Sequence, residues 1–98
     1  MYSRQLAVLI VDDDQELDEL LTAVLGEEGY RVIVLSDTAR LQRFLMRRLV
    51  DVAIVNLMLR EPDAIVICQT IQRVSQRFVP LILTAHFFPV VLLWFTKK

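Results

Sequence analysis

Two uninterrupted apolar runs, each ending in polar residues, constrain this chain more than any other feature. The first run occupies residues 6–11 and stops at the aspartate triplet 12–14, and the second occupies residues 52–55 and stops at Asn56. Runs without alternating polar residues are typical of strands that are covered on both faces, as in a parallel sheet. Ligands of open α/β sheets bind at the carboxyl ends of such strands. The sequence therefore predicts one pocket in which two or three carboxylates face one carboxamide.

Strand-like and helix-like segments alternate along the rest of the chain. The predicted strands are residues 6–11, 30–35, 52–55 and 80–84. The helix positions expected in the core are Leu17, Leu20, Leu21, Val24 and Leu25, then Leu41, Phe44, Leu45 and Leu49, then Ile65, Cys68, Ile71, Val74 and Phe78. This βα alternation implies a parallel sheet with right-handed crossovers and helices on both faces. Such a sheet would bring the aspartate triplet, Asn56 and Thr84 to one edge.

Local signals mark where the first helix begins and which residues the second helix exposes. Asp13 followed by Glu16 has capping-box spacing, and Asp14 is a competing cap for the first helix. The second helix carries arginines away from its apolar face, at Arg40, Arg43 and Arg47. We expect a solvated face there, and the alternative is a surface for an acidic or phosphate-bearing partner.

Composition limits the class of protein. A chain of 98 residues makes one domain with a modest core, and a net charge of −1 gives no general attraction to nucleic acid. Cys68 is the single cysteine, which excludes an internal disulfide, and it is expected to be a small core residue. No apolar stretch approaches the roughly 20 residues of a membrane helix. Residues 1–5 are too short and polar for a signal peptide, so a cytoplasmic protein is expected.

Several motifs in this order resemble the receiver domain of two-component response regulators. The matching segments are residues 9–14, 51–59 and 81–85, together with the apolar positions of the third helix. The resemblance covers residues 5–85, so residues 1–98 are expected to form a single receiver-like domain with an atypical tail at 86–98. It implies a flavodoxin-like, doubly wound parallel sheet of strand order 2-1-3-4, with or without a fifth strand.

The resemblance also implies roles for individual residues. Asp12 and Asp13 match the acidic pair that helps to hold Mg²⁺, and Thr84 matches the hydroxyl residue that turns toward the phosphoryl group. Asn56 stands where the family has its phosphoaccepting aspartate. Phosphoryl transfer to a protein needs an anionic or activated nucleophile, and a carboxamide is neutral. We therefore expect that Asn56 does not accept phosphate, and that a Mg²⁺ site of Asp12, Asp13 and Asn56 is weak or absent.

The end of the chain departs from the family pattern. Only 13 residues follow Ala85, fewer than the helix, strand and helix that the family has there, so the chain is expected to be C-terminally truncated. Residues 94–97 resemble the end of the family's fifth strand, which would make Lys97 the phosphate-contacting lysine and Trp94 the switch aromatic. In the alternative interpretation residues 86–98 are unrelated to the family, as after a truncation or a frameshift.

Three functions remain open. The favoured hypothesis is a pseudo-receiver, not an enzyme, that works by contact with a histidine kinase or another signalling protein. The second is a fragment, or an Asp-to-Asn blocked variant, of an ordinary phosphoaccepting response regulator. The third is a small metal-dependent enzyme. It is disfavoured because no nucleophile, general base or substrate cleft is apparent apart from the pocket itself, and His86 is expected to be structural or exposed.

Two expectations concern partners. Apolar residues 87–95 and an open edge on the fourth strand predict a homodimer through that strand and the tail. No output domain is visible in the sequence, so DNA binding is not predicted for this chain.

Overall fold

The computed structural model describes residues 5–59, 63–84 and 91–94, in which strands and helices alternate up to the fourth strand. The elements are β1 (Ala7–Val11), α1 (Gln15–Glu27), β2 (Arg31–Val34), α2 (Thr38–Arg47), β3 (Val52–Asn56), α3 (Ala64–Val74), β4 (Leu81–Thr84) and β5 (Val91–Trp94). They form one sheet of order β2-β1-β3-β4-β5. The first four strands are parallel. The predicted flavodoxin-like sheet of order 2-1-3-4 is confirmed.

The tail forms a strand, but its direction differs from the parallel fifth strand that the resemblance implies. β5 runs antiparallel to β4, with Trp94 opposite Leu81 and Val91 opposite Thr84. A parallel neighbour needs a crossover of about a dozen residues or more, whereas residues 85–90 alone join these two strands. The short connection therefore forces an antiparallel return. β4 is paired on both sides, so the alternative in which β4 is a bare edge is wrong.

Each helix begins at an aspartate whose carboxylate accepts a hydrogen bond from a backbone N–H in the first turn. Asp14 accepts from Leu17 at 3.2 Å, and equivalent bonds are made by Asp37 and Asp63. Of the two caps predicted for α1, Asp14 is therefore the N-cap. Such caps each stabilise a helix by about 1 kcal/mol.

One face of the sheet is covered by α2 and α3, and the main core lies there. Its largest fully buried members are Leu9, Leu41, Leu45, Ile67, Ile71 and Leu81. Cys68 is also buried, as predicted, and burial raises the pKa of its thiol to about 11. The predicted α3 face is partly wrong, because Ile65 and Phe78 are 50% and 51% exposed. Phe78 lies beyond the end of α3 at Val74.

The other face of the sheet is covered by α1 in the described part of the chain. Leu17, Leu21 and Leu25 of α1 are half-buried. The prediction that Leu20 and Val24 also enter the core is wrong, because they are 58% and 49% exposed. Across the described residues, none of the helices has both the length and the apolar character to cross a membrane.

Candidate functional site

The carboxyl ends of β1 and β3 bring a buried carboxylate against a buried carboxamide. Val11 and Val55 are register partners on the two parallel strands, so the following residues, Asp12 and Asn56, lie side by side. Both side chains are buried, at 4% exposure each. Asn56 Nδ2 donates to Asp12 Oδ1 at 3.1 Å. One carboxylate therefore faces the carboxamide at hydrogen-bond distance, where the sequence predicts two or three.

Backbone N–H groups fix the orientation of both side chains. Asn56 Oδ1 accepts from the N–H of Met58 at 2.8 Å, and Asp12 Oδ1 also accepts from the N–H of Asp14 at 2.9 Å. The amide nitrogen of Asn56 therefore faces Asp12, while the amide oxygen is turned to the loop after β3. Buried polar groups are costly unless they are hydrogen-bonded. This small network satisfies Asn56 on both its nitrogen and its oxygen.

Thr84 lies beside the same pocket on the next strand. Its register partner on β3 is Asn56, and the N–H of Leu57 donates to the Thr84 carbonyl oxygen at 2.7 Å. Side chains of register partners on parallel strands project from the same face of a sheet. The structure therefore brings together three of the residues singled out in the sequence, Asp12, Asn56 and Thr84.

The arrangement does not fit a tight Mg²⁺ site. Mg²⁺ takes oxygen ligands in near-octahedral geometry. Asn56 presents its nitrogen to Asp12, and offering its oxygen instead would require the amide to turn over and lose the Met58 bond. Asp13 is exposed. Among the residues that the structure describes, no three Asp, Glu, His or Cys side chains are grouped closely enough to hold a metal.

Asp18 contributes to the electrostatics of this edge, although it was not singled out in the sequence. Burial, and then the nearby carboxylates of Asp12, Asp14 and Asp13 in that order of effect, together raise the pKa of Asp18 to about 6. Its Oδ1 is buried, and no group in the described part of the chain donates a hydrogen bond to it. The signal in the sequence is its spacing, because a residue four positions after Asp14 lies on the same helix face.

The remaining residues singled out in the sequence lie away from the pocket or outside the described part of the chain. The backbone of Trp94 pairs with Leu81, at the end of β4 opposite to Thr84. The antiparallel direction of β5 therefore does not bring Trp94 to the position that the resemblance implies for a switch aromatic. Lys97 and His86 lie outside the described residues.

Comparisons with known protein families and with individual proteins point to the same family. Residues 8–89 match the response regulator receiver domain. The chain is 39% identical over 79 residues to the transcriptional regulatory protein GlrR of Escherichia coli K12. The aligned residues are 81% of this chain and 18% of that protein. It is 28% identical over 86 residues to the regulatory protein VanRc of Enterococcus gallinarum, covering 88% of this chain and 32% of that protein.

A third relative matches a shorter segment. The transcriptional regulatory protein GltR of Pseudomonas aeruginosa is 35% identical over 66 residues, which are 67% of this chain and 27% of that protein. The chain thus spans less than a third of the length of each of these regulators. The family match includes β1, β3 and β4, the strands that carry Asp12, Asn56 and Thr84. On the evidence of this match and of the sheet order, the chain belongs to the response regulator receiver domain family.

Proposed function

We propose that this receiver domain signals through protein contacts and does not accept a phosphoryl group. Receiver domains are signalling modules of two-component systems that normally bind Mg²⁺ at the phosphorylation site and interact with histidine kinases and other signalling proteins. The observation that carries the proposal is Asn56, whose neutral amide occupies the end of β3 where the resemblance has the phosphoaccepting aspartate. An amide nitrogen with a delocalised lone pair is not a nucleophile for phosphate.

The hydrogen bonds around Asn56 support a pocket that is complete without a cation. Two buried carboxylates would repel each other and would gain from a bound cation. The Asn56–Asp12 pair carries one negative charge instead of two, and the 3.1 Å bond between them is an attractive one. Any binding of Mg²⁺ through Asp12 and Asp13 is accordingly proposed to be weak.

The proposed partner is a histidine kinase or another signalling protein of a two-component pathway, and the proposed location is the cytoplasm. Two of the relatives reported above are named as transcriptional regulators, but this chain matches under a third of either, so no action on DNA is proposed for it. The expected homodimer through β4 and the tail remains a proposal in altered form. β5, rather than β4, would supply the open edge, because β4 has a partner on each side.

A second candidate is an ordinary phosphoaccepting regulator in which Asn56 replaces the acceptor. The same geometry favours it, since Asp12 and Thr84 still flank Asn56 at the end of β3. The two candidates differ in what a carboxylate at this position would restore.

The test is intact-mass measurement after incubation with acetyl phosphate and Mg²⁺. We expect no phosphoryl adduct on the unaltered chain, and a stable adduct would overturn the proposal. Asn56→Asp is the matched variant. Labelling of Asn56→Asp would support the blocked-acceptor candidate, whereas an unlabelled but folded Asn56→Asp would indicate a pocket that has lost phosphoryl chemistry beyond this one residue.

A further inference from the structure

Charge is segregated between two helices on opposite faces of the sheet. Residues 12–28 contain eight carboxylates and no Lys or Arg, whereas residues 38–50 contain four arginines and no carboxylate. The net charge of the whole chain is only −1. α1 lies on one face of the sheet, and α2 packs with α3 on the other. The molecule therefore has an acidic side and a basic side, and the acidic side carries the larger charge.

The basic side is a compact surface on α2, which we call the basic α2 surface and define as Arg40, Arg43, Met46 and Arg47. All four side chains are exposed, and Met46 at 67% is the most exposed large apolar residue among those described. Residues three, four and seven apart lie on one face of a helix. None of the three arginines has an ion pair within the described part of the chain. The surface thus offers three guanidinium groups that are unpaired among the described residues, with the apolar Met46 at one side of them, next to Arg43.

The acidic side contains a shallow groove between α1 and β2 that matches this surface in chemistry. The α1–β2 groove has a volume of about 460 Å³ and is lined by Gln15, Asp18, Glu19, Thr22, Ala23 and Val34. Two carboxylates and two apolar residues are therefore adjacent in it. The carboxylates of Asp18 and Glu19 give the groove a negative charge, which attracts a cationic side chain.

We propose that the basic α2 surface of one copy of this chain docks in the α1–β2 groove of a second copy. Arginine is suited to the groove because its planar guanidinium can bind a carboxylate through two N–H groups while its stem packs on apolar residues. Met46 would contact the apolar part formed by Ala23 and Val34. A nucleic acid fits less well, because the carboxylates of α1 repel phosphates and Met46 has no charge or hydrogen-bond donor that could bind them.

The position of the two surfaces permits a closed dimer rather than an open chain. α1 joins β1 to β2 and α2 joins β2 to β3, so both helices flank the β2 side of the sheet. β2 is an edge strand. A two-fold axis that runs along β2 exchanges the two faces of the sheet, so the α1 of each copy meets the α2 of the other. Such an interface is self-complementary, so the contact between α1 of one copy and α2 of the other occurs twice.

The experiment is sedimentation analysis of the 98-residue chain and of charge-reversed variants. Arg43→Glu and Glu19→Arg each place like charges across both contacts of the dimer. We expect each variant alone to raise the dissociation constant at least about tenfold, which corresponds to about 1.4 kcal/mol. An equimolar mixture of the two variants should restore association to within about threefold of the unaltered chain, because opposite charges meet again in both contacts.

Two controls distinguish this dimer from one formed by apolar residues of the tail. Arg73→Glu makes the same charge change at an exposed position of α3, outside both surfaces, and should leave the dissociation constant unchanged. Raising the salt concentration from 0.05 to 1 M (values chosen to shorten the screening length to roughly 3 Å) should weaken the proposed dimer. A monomer at every concentration, association that ignores both reversals, or a mixture that fails to recover would each overturn the proposal. None of these results bears on phosphorylation at residue 56.

Discussion

At the scale of single residues, Asn56 decides the charge of the pocket. Its Nδ2 lies 3.1 Å from Asp12 Oδ1, and both side chains are 4% exposed. A carboxylate at this position would therefore face another carboxylate at hydrogen-bonding distance in a buried setting. One of the two would have to bind a proton or lose much of its favourable solvation. The present pair avoids that cost without a metal ion.

Asn56→Asp should therefore lower the free energy of unfolding at pH 7 in EDTA. We expect a loss of about 1 to 2 kcal/mol, since one pKa unit of repulsion corresponds to about 1.4 kcal/mol. Thermal melts in EDTA provide the measurement. The exchanged double variant, Asp12→Asn with Asn56→Asp, restores one carboxylate and one carboxamide and should recover most of the loss. A single variant that melts above the unaltered chain contradicts this account of the pocket.

The raised pKa of Asp18 predicts that the free energy of unfolding depends on pH, and it fixes the sign of that dependence. The pKa is about 6 in the folded chain against an ordinary value of 3.8, because of burial first and then the neighbouring carboxylates. The folded state thus binds this proton more tightly than the unfolded state does. The resulting stabilisation is complete below about pH 3.8 and is lost as the pH rises through about 6.

Asp18→Asn removes that titration and should stabilise the chain above pH 6. We expect a gain of about 1 to 2 kcal/mol at pH 7.5, a value reduced for solvent screening at a partly exposed group. Denaturant unfolding at pH 4 and pH 7.5 is the measurement, and the difference between variant and unaltered chain should grow with pH. A difference that is the same at both pH values would show that Asp18 is not protonated on folding near pH 6.

At the scale of elements, Asp51 joins β1 to the segment before β4. Its Oδ2 accepts from the N–H of Ala7 at 2.7 Å, and its Oδ1 accepts from Arg77 Nη2 at 2.7 Å. Ala7 is 1% exposed, whereas the Arg77 side chain is 45% exposed. The two bonds of one carboxylate therefore lie in very different environments, and they should differ in energy.

Removing the carboxylate should cost more than removing its cation. Asp51→Ala leaves the buried N–H of Ala7 without an acceptor, which costs about 2 to 3 kcal/mol. Arg77→Ala removes an exposed ion pair and should cost no more than about 1 kcal/mol. Urea unfolding of the two variants decides between these values. Equal losses would mean that the ion pair, and not the bond to Ala7, joins these elements.

Sequence patterns predict the strands and helix starts well, because both depend on local chemistry. The apolar runs of β1 and β3 lie where the sequence predicts them, and one of the two caps predicted for α1, Asp14, is its N-cap. The error at Ile65 in the predicted buried face of α3 has a geometric cause. Steps of three residues fall about 60° short of a full turn, so Ile65 lies about 120° around the helix from Ile71. The buried set instead recurs at Ala64, Ile67, Cys68 and Ile71, which stay on one face.

At the scale of the whole molecule, the sequence predicts the order of the parallel strands but not the direction of β5. The order follows from the resemblance to the receiver family, because the βα alternation by itself indicates only a parallel sheet with right-handed crossovers. The direction of β5 depends on how far the chain can reach from the end of β4, which an apolar tail does not reveal. The family match extends to residue 89, just before β5 begins. The pairing of β4 with β5 therefore involves residues beyond the segment that matches the family.

Leu20 and Val24 form an exposed apolar stripe on α1, the helix that covers one face of the sheet. Leu20 and Val24 are 58% and 49% exposed, and the sheet residues Val52, Ile54 and Ile82 on that face are only half-buried. Exposed apolar side chains in such numbers often mark an interface or a site of aggregation. We therefore expect the chain to bind a hydrophobic dye while folded.

Leu20→Lys should reduce that dye binding without unfolding the chain. Burial is worth about 25 cal/mol per Å² of apolar surface, so replacing an exposed leucine removes little stability but much of the affinity for an apolar ligand. Gln69→Lys adds the same charge at an exposed position of α3 and should leave the dye signal unchanged. Dye fluorescence and light scattering at micromolar concentration are the measurements. If Leu20→Lys and Gln69→Lys give the same signal as the unaltered chain, the α1 stripe is not the surface that binds the dye.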